Sequence, residues 1–230
     1  VRLFGFFLVV FLLLSALRVV PVIGAVFQYP LVGVFLAAAI VSVVAARTGS
    51  EVVKSRKQAA ELRRLEAVST PHNRGKLGRL LEMGGRAKEA IEPLEEAIAG
   101  EPEVVEWHYR LGRAQFALSN FAAAIKTLQH AAELNEEYAY GDVLLSLAEA
   151  QRRGRQSPAA LETLERYETL NGPTPESAYR RGQNHSAQKD RDQARAAFDE
   201  VASLAASLAA YQRKTGRSWA AKALFARLFS

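Results

Sequence analysis

Four histidines, His72, His108, His130 and His185, are the obvious candidates for proton transfer or metal ligation, but they are widely spaced along the chain. No H-E-x-x-H pattern sets two of them on one helical face, so no ligand pair is built in. The chain contains no cysteine, which excludes thiolate metal sites, a disulfide framework and a cysteine nucleophile. The nucleophile elbow G-x-S-x-G, the Walker A loop and the dinucleotide fingerprint are also missing. Gly84-Gly85 reads as a turn between helices rather than a phosphate cradle. Glu95-Glu96 and Glu136-Glu137 read as solvated faces, and Asn184-His185-Ser186 as a chance match to the glycosylation triplet. The expectation is a protein that is not an enzyme and needs neither metal nor cofactor. Its chemistry would be recognition.

The charge distribution says what could be recognised. The 230 residues carry a formal net charge of +6, unevenly spread. Residues 1–46 hold only Arg2 and Arg18, with no acid. Residues 47–72 hold six basic residues against three acidic ones. Residues 73–210 are net acidic, with 17 basic and 21 acidic residues. Residues 211–230 hold Arg213, Lys214, Arg217, Lys222 and Arg227 and no acid. Basic flanks beside an apolar end point to an anionic membrane surface before nucleic acid, and no nucleic-acid partner is expected.

The apolar end reads as a transmembrane hairpin over 1–46. Leu3–Leu17 is apolar except for Ser15, apolar character resumes after Arg18, and a second uncharged run follows Pro30. Helices over these runs would be roughly 35 Å and 25 Å long, matched to a hydrocarbon core of about 30 Å. Arg18 would snorkel to the interface, and Tyr29 would sit at headgroup level in the turn. A single span with an interfacial segment, or a cleaved signal peptide, are the alternatives. The six basic residues after Ala46, starting with Arg47, place the remainder in the cytoplasm by the positive-inside rule. The location this implies is a bacterial inner membrane, crossed more than once; Val1, read as a non-AUG start, fits that source. Ala38, Ser42 and Ala46 repeat at i, i+4, i+8, a small-residue seam suited to packing within the hairpin or to homo- or hetero-oligomers through these helices.

A basic helical linker follows over 47–72. Ser50 is its expected cap, Val52, Ala59, Leu62, Leu65 and Val68 its apolar stripe, and Ser69-Thr70-Pro71 its end.

The body, 73–204, is periodic. Leu77-Gly78, Ala90, Leu94 and Ala97 recur 34 residues later as Leu111-Gly112, Ala124, Leu128 and Ala131. A third copy starts two residues late with Leu147-Ala148, Ala160 and Leu164. A fourth follows with Gly182, Ala194 and Phe198. Trp107 and Tyr179 lie near repeat starts, and Pro102 closes the first. This pattern is similar to the tetratricopeptide repeat (TPR) family. The third copy departs from it, with Ala148 for glycine and Tyr167 for the second alanine. Each unit reads as two amphipathic helices joined by a short turn, with Gly78, Gly112 and Gly182 facing Ala90, Ala124 and Ala194. The fold class is therefore all-α: an N-terminal transmembrane helical hairpin, an α-solenoid of about four helix pairs, and a C-terminal capping helix over 205–230.

The resemblance implies a concave groove lined by the first helix of each repeat. Its offsets carry over to Arg79, Glu82, Tyr109, Arg113, Phe116, Glu149, Arg152, Tyr179 and Gln183, with Asp142 and Leu145 beside them. Arg79 and Arg113 share one repeat position and are expected to form a ladder facing a carboxylate-bearing peptide. Gly75, Arg110 and Ser146 depart from the residues of the chaperone-tail-binding subfamily, which argues against that ligand. The implied function is a membrane-anchored scaffold or adaptor that binds a protein or peptide partner at the cytoplasmic face, the lipid bilayer being its other partner. The alternative is a structural subunit of a larger membrane complex, with the repeats serving assembly.

In the last segment, Trp219, Leu224, Phe225, Leu228 and Phe229 are expected largely on one side, with Gly216 breaking the helix ahead of them. That side either covers the fourth repeat or returns to the membrane, and Trp219 and Phe225 are the interface candidates.

Overall fold

The computed structural model describes residues 41–42 and 60–228. Apart from the helical residues Val41 and Ser42, the expected hairpin, the linker start and the candidates Arg18, Tyr29 and Arg47 lie outside the described residues. Among the described residues no helix is long and apolar enough to cross a membrane. The chain divides into two units, Val1–Glu61 and Leu62–Ser230, and the second is described below.

That unit is built from antiparallel helix pairs: α1 (Pro71–Met83) with α2 (Ala87–Gly100), α3 (Val105–Ala117) with α4 (Phe121–Leu134), α5 (Tyr138–Arg153) with α6 (Ser157–Asn171), and α7 (Pro175–Ala187) with α8 (Arg191–Ser207). A single helix, α9 (Arg213–Arg227), follows. The starts are set by local chemistry. Thr70 accepts from the Asn73 backbone N–H and Pro71 occupies the first turn of α1, while Thr174 and Ser177 form a reciprocal capping box ahead of α7. Asn120 and Asp190 cap α4 and α8 in the same way.

The turn inside each pair repeats more faithfully than the sequence does. Gly85, Ser119, Arg155 and Lys189 occupy the same place and all adopt positive φ, +74°, +62°, +63° and +63°. Glycine takes that conformation freely, whereas the other three accept it because the helix ahead must stop there and reverse.

The late start of the third copy also has a structural cause. Ala139, Tyr140 and Gly141 form a left-handed turn, with φ of 54°, 59° and 78°, before right-handed helix resumes at Asp142. The two extra residues are absorbed there. The turn leaves Tyr140 92% exposed and wedges Gly141 against Tyr167 and Asn171.

Among the described residues, three apolar clusters hold the unit together. The first joins α1, α2 and α3 through Leu77, Leu81, Leu94 and Trp107, with Leu62 and Leu65 of the preceding helical segment against it. Of the expected linker stripe, Leu62 and Leu65 pack on the first repeat, while Val68 stays exposed. The second runs from α3 to α6 through Tyr109, Leu128, Leu144, Leu164 and Tyr167. The third joins α7, α8 and α9 through Ala178, Phe198, Val201 and Ala223. Between the second and third, the α6–α7 junction carries polar contacts. Ser177 Oγ donates to Glu168 at 2.7 Å, and Arg181 donates to the same carboxylate at 2.7 Å.

The repeat glycines mark close helix contacts, with one correction to their partners. A Cβ on Gly112 would meet Leu128 Cγ at 2.6 Å, and one on Gly182 would meet the Phe198 ring at 2.5 Å. The facing side chain is thus one turn beyond the expected alanine, because helical side chains lean toward the N-terminus and cover the turn before their own. The alanines are nevertheless fully buried. Ala124→Leu would force about three extra carbons into that interface, costing about 1–3 kcal/mol, and thermal melting of the array should shift down accordingly.

His108 and His130 pack edge to face, ring centroids 4.7 Å apart, and His108 Nε2 donates to Pro102 O at 2.7 Å. Burial pushes His108 below the ordinary histidine range, against the pull of the Pro102 carbonyl, and burial lowers His185 as well. The unfolded chain then binds protons that the folded one refuses. Stability should be full above about pH 6.5 and fall as the pH drops from there toward the depressed folded values. Melting curves at stepped pH should show this, with a flatter slope in His108→Gln.

Candidate functional site

The first helices α1, α3, α5 and α7 stand side by side and form the lining expected of a groove. Its central hollow, of about 290 Å³, has a floor of Phe116, Ala117 and Leu128 and a rim of Glu82, Arg113, Asp142, Ser146, Glu149 and Arg180. A second hollow of about 270 Å³ shares Glu149 and Arg180 with the first and continues past Arg152, Tyr179 and Gln183 to Trp219 and Lys222 of α9. The two make one channel along the array.

The rim charges are organised by internal pairs. Glu82, with its side chain only 7% exposed, accepts from Arg110 at 3.0 Å and Arg113 at 2.9 Å. Arg113 also donates to the Tyr109 hydroxyl at 3.1 Å, and that hydroxyl donates to Asp142. Burial and then the Asp142 hydrogen bond hold Tyr109 above the usual phenol range. Burial opposes the charge on Arg113, but Tyr109, Glu82 and Asp142 outweigh it, so the guanidinium is held above its ordinary value. Farther along, Glu149 accepts from Arg152 at 2.6 Å and Arg180 at 3.3 Å, and Arg180 also donates to Glu176 at 2.7 Å. The Glu149 hydrogen bond raises Arg152 in turn. At the far end the Lys222 ammonium lies 3.8 Å from the centre of the Trp219 ring.

The expected residues are thus placed unequally. Glu82, Arg113, Phe116 and Glu149 line the central hollow, and Arg152, Tyr179 and Gln183 line its extension. Tyr109 lies almost wholly in the core and reaches the groove only through its hydroxyl. The expected ladder of Arg79 and Arg113 has internal carboxylates beside it. Arg113 is held by Glu82, and Arg79 Nε lies 3.8 Å from Glu106, a carboxylate that also lies 3.7 Å from Arg110 Nε. Carboxylates from neighbouring helices lie beside both guanidinium groups, because charges partly removed from water need counter-charges nearby. Sequence reasoning missed Arg180, which bridges α5 and α7. Its signal was its repeat position, shared with Lys76 and Arg110.

Trp219 also departs from expectation. It packs on Tyr179 with ring centroids 5.4 Å apart and closes the groove, rather than joining Leu224, Phe225 and Leu228, which are exposed. Five residues separate Trp219 from Leu224, which turns it about 140° away around a helix. Nor does Gly216 break the chain. α9 runs through it, and it lets the helix approach α8, since a Cβ there would meet Leu208 at 2.6 Å.

Two family models described as tetratricopeptide repeat match the chain, one over residues 81–140 and the other over 176–206. The chain carries tetratricopeptide repeats. Solved TPR-type structures share the fold. A crystal structure of MamA protein is 24% identical, covers 66% of this chain and 84% of its own, and superposes with a TM-score of 0.59. A thermophilic TPR protein from Thermus thermophilus is 19% identical, covering 78% and 96%, with a TM-score of 0.56. YrrB, a TPR protein with an unusual peptide-binding site, is 17% identical, covering 76% and 88%, with a TM-score of 0.50. A search of the curated proteins gave no match. The TPR models skip most of the third pair, where the left-handed turn and Ala148 interrupt the pattern.

Proposed function

We propose that the TPR array is a scaffold that binds an extended segment of a protein partner along the channel, and that residues 1–46 hold it at the cytoplasmic face of a bacterial inner membrane. The observation that carries the reading is the central hollow: an apolar floor of Phe116, Ala117 and Leu128 beneath a rim of both charges. An apolar anchor with polar flanks is what such a surface accepts. The Asp142 carboxylate, about 44% exposed and 4.0 Å from Arg113, is the rim acid most open to a basic partner residue. YrrB supports the reading as an array of this fold with a peptide-binding site. Membrane attachment rests on the uncharged runs of 1–46 and the basic residues that follow.

The test is photocrosslinking of the full chain in its native membrane, with the reactive residue at Ser146 in the groove or at exposed Thr169 on α6. A defined adduct at Ser146, absent at Thr169 and lost on Phe116→Asp, is expected. Equal adducts at both positions would overturn the groove. The internal pairing of Arg79, Arg113 and Arg152 favours a second reading, in which the array is a structural part of a membrane complex. That reading requires the Ser146 adduct to vanish when residues 1–46 are removed, whereas the groove reading retains it.

A further inference from the structure

α9 has two faces, and only one is used by the array. Gly216, Trp219, Ala223 and Ala226 lie at helical spacing and pack inward: Gly216 and Ala223 are buried, and Trp219 and Ala226 sit against the third cluster. On the opposite side Lys214, Arg217, Ala221, Leu224 and Leu228 form a second stripe at i, i+3, i+7, i+10 and i+14, all exposed. Leu224 is 65% and Leu228 73% exposed, with Phe225 between them.

The cations of this stripe differ from the paired arginines of the array. Arg74, Arg79, Arg110, Arg113, Arg152 and Arg180 each face a carboxylate. Lys214 and Arg217 face none among the described residues, and residues 211–230 contain no acid at all. Uncompensated positive charge beside exposed leucines on one helical face is the pattern of a helix that lies in a lipid headgroup layer. The apolar side chains enter the acyl boundary and the cations meet anionic headgroups. A polar protein partner would satisfy the charges but leave Leu224 and Leu228 uncovered, and an apolar one would strand the charges.

We infer that the outward face of α9, through Lys214, Arg217, Leu224 and Leu228, docks on an anionic bilayer surface while its inward face closes the array. Capping and membrane contact are then properties of one helix. The inference does not rest on residues 1–46 or on the groove, so either of those readings can fail without it.

The experiment uses the full chain, in which the outward face of α9 is exposed. The absence of cysteine allows a single environment-sensitive fluorophore at Ala221→Cys, with Thr169→Cys as reference. Vesicles of phosphatidylglycerol mixed with phosphatidylcholine should shift the Ala221 probe to the blue and leave the Thr169 probe unchanged. Raised salt should reverse the shift, and Lys214→Glu with Arg217→Glu should weaken partitioning about tenfold or more. Leu224→Ser with Leu228→Ser should abolish it. All four positions are exposed, so helical circular dichroism should be unchanged in each variant. No shift with anionic vesicles overturns the inference. So does an equal shift with phosphatidylcholine alone. A lipid-free shift that grows with protein concentration also overturns it, by showing that a second copy covers the face.

Discussion

Trp107→Ala is expected to cost the array about 3–5 kcal/mol, the range for deleting a fully enclosed large aromatic side chain. Trp107 is 2% exposed, its indole N–H donates to Glu101 at 2.9 Å, and its ring lies over Gly75 so closely that a Cβ there would meet it at 2.5 Å. The residue therefore fills the space between the first and second repeats, where a smaller side chain leaves a cavity that rigid helices cannot close. For a chain of this size each kcal/mol corresponds to about 2–4 °C, so the melting midpoint should fall by about 6–20 °C. Glu101 also loses a hydrogen bond that, as its largest cause, holds it below the ordinary carboxylate range. Trp107→Phe keeps most of the volume and should recover most of the loss. Thermal melting of the two variants side by side makes the comparison. Equal midpoints would show that packing over Gly75 contributes little.

Glu82→Ala should be the most damaging change in the groove. The carboxylate is the shared acceptor of Arg110 and Arg113, from the next repeat, and its removal leaves Arg110, with 16% of its side chain exposed, without its 3.0 Å partner. Breaking one side of a buried pair costs about 3–5 kcal/mol when both partners are enclosed. Arg113 keeps contact with water, Tyr109 and Asp142, so about 1.5–3 kcal/mol is the expected loss. Glu82→Gln keeps the shape and part of the hydrogen bonding and should lie between. Adding Arg113→Ala to Glu82→Ala should produce less than the sum of the two single losses, because one interaction cannot be lost twice. Strict additivity in chemical denaturation would mean that the pair is not coupled.

The parts of this molecule legible in the sequence are those written at fixed offsets. Leu77-Gly78 and Leu111-Gly112 gave the register, and the helix pairs follow it. What escaped depends on groups far apart in the chain. Arg113 meets Glu82 across 31 residues, and Arg79 meets Glu106 across 27, so arginines alike in repeat position look available until the neighbouring helix is in place. The turn inside each pair is another case. Gly85 announces its positive φ, whereas Ser119, Arg155 and Lys189 adopt the same conformation with nothing in their chemistry to say so. α9 shows a third. Its aromatic and aliphatic residues are few enough to group by eye, but helical phase separates Trp219 from Leu224 and gives them different surroundings.

The polar junction between α6 and α7 bears on how the array moves. Stacked repeats behave as a chain of neighbours whose cooperativity is set link by link, and the link with the least shared apolar surface uncouples first. The α6–α7 link, which none of the three clusters spans, lies beside a hollow of about 390 Å³ between Tyr167, Pro173, Leu204 and Trp219. Amide protons of α7–α9 should therefore exchange as a separate unit, sooner than those of α3–α6. Arg180, Tyr179 and Gln183 belong to α7, so exchange in that unit reports on the far wall of the channel. A segment lying in the channel that bridged Asp142 and Gln183 would join the two units, and the tightness of binding would be written into the slowed exchange of the last three helices.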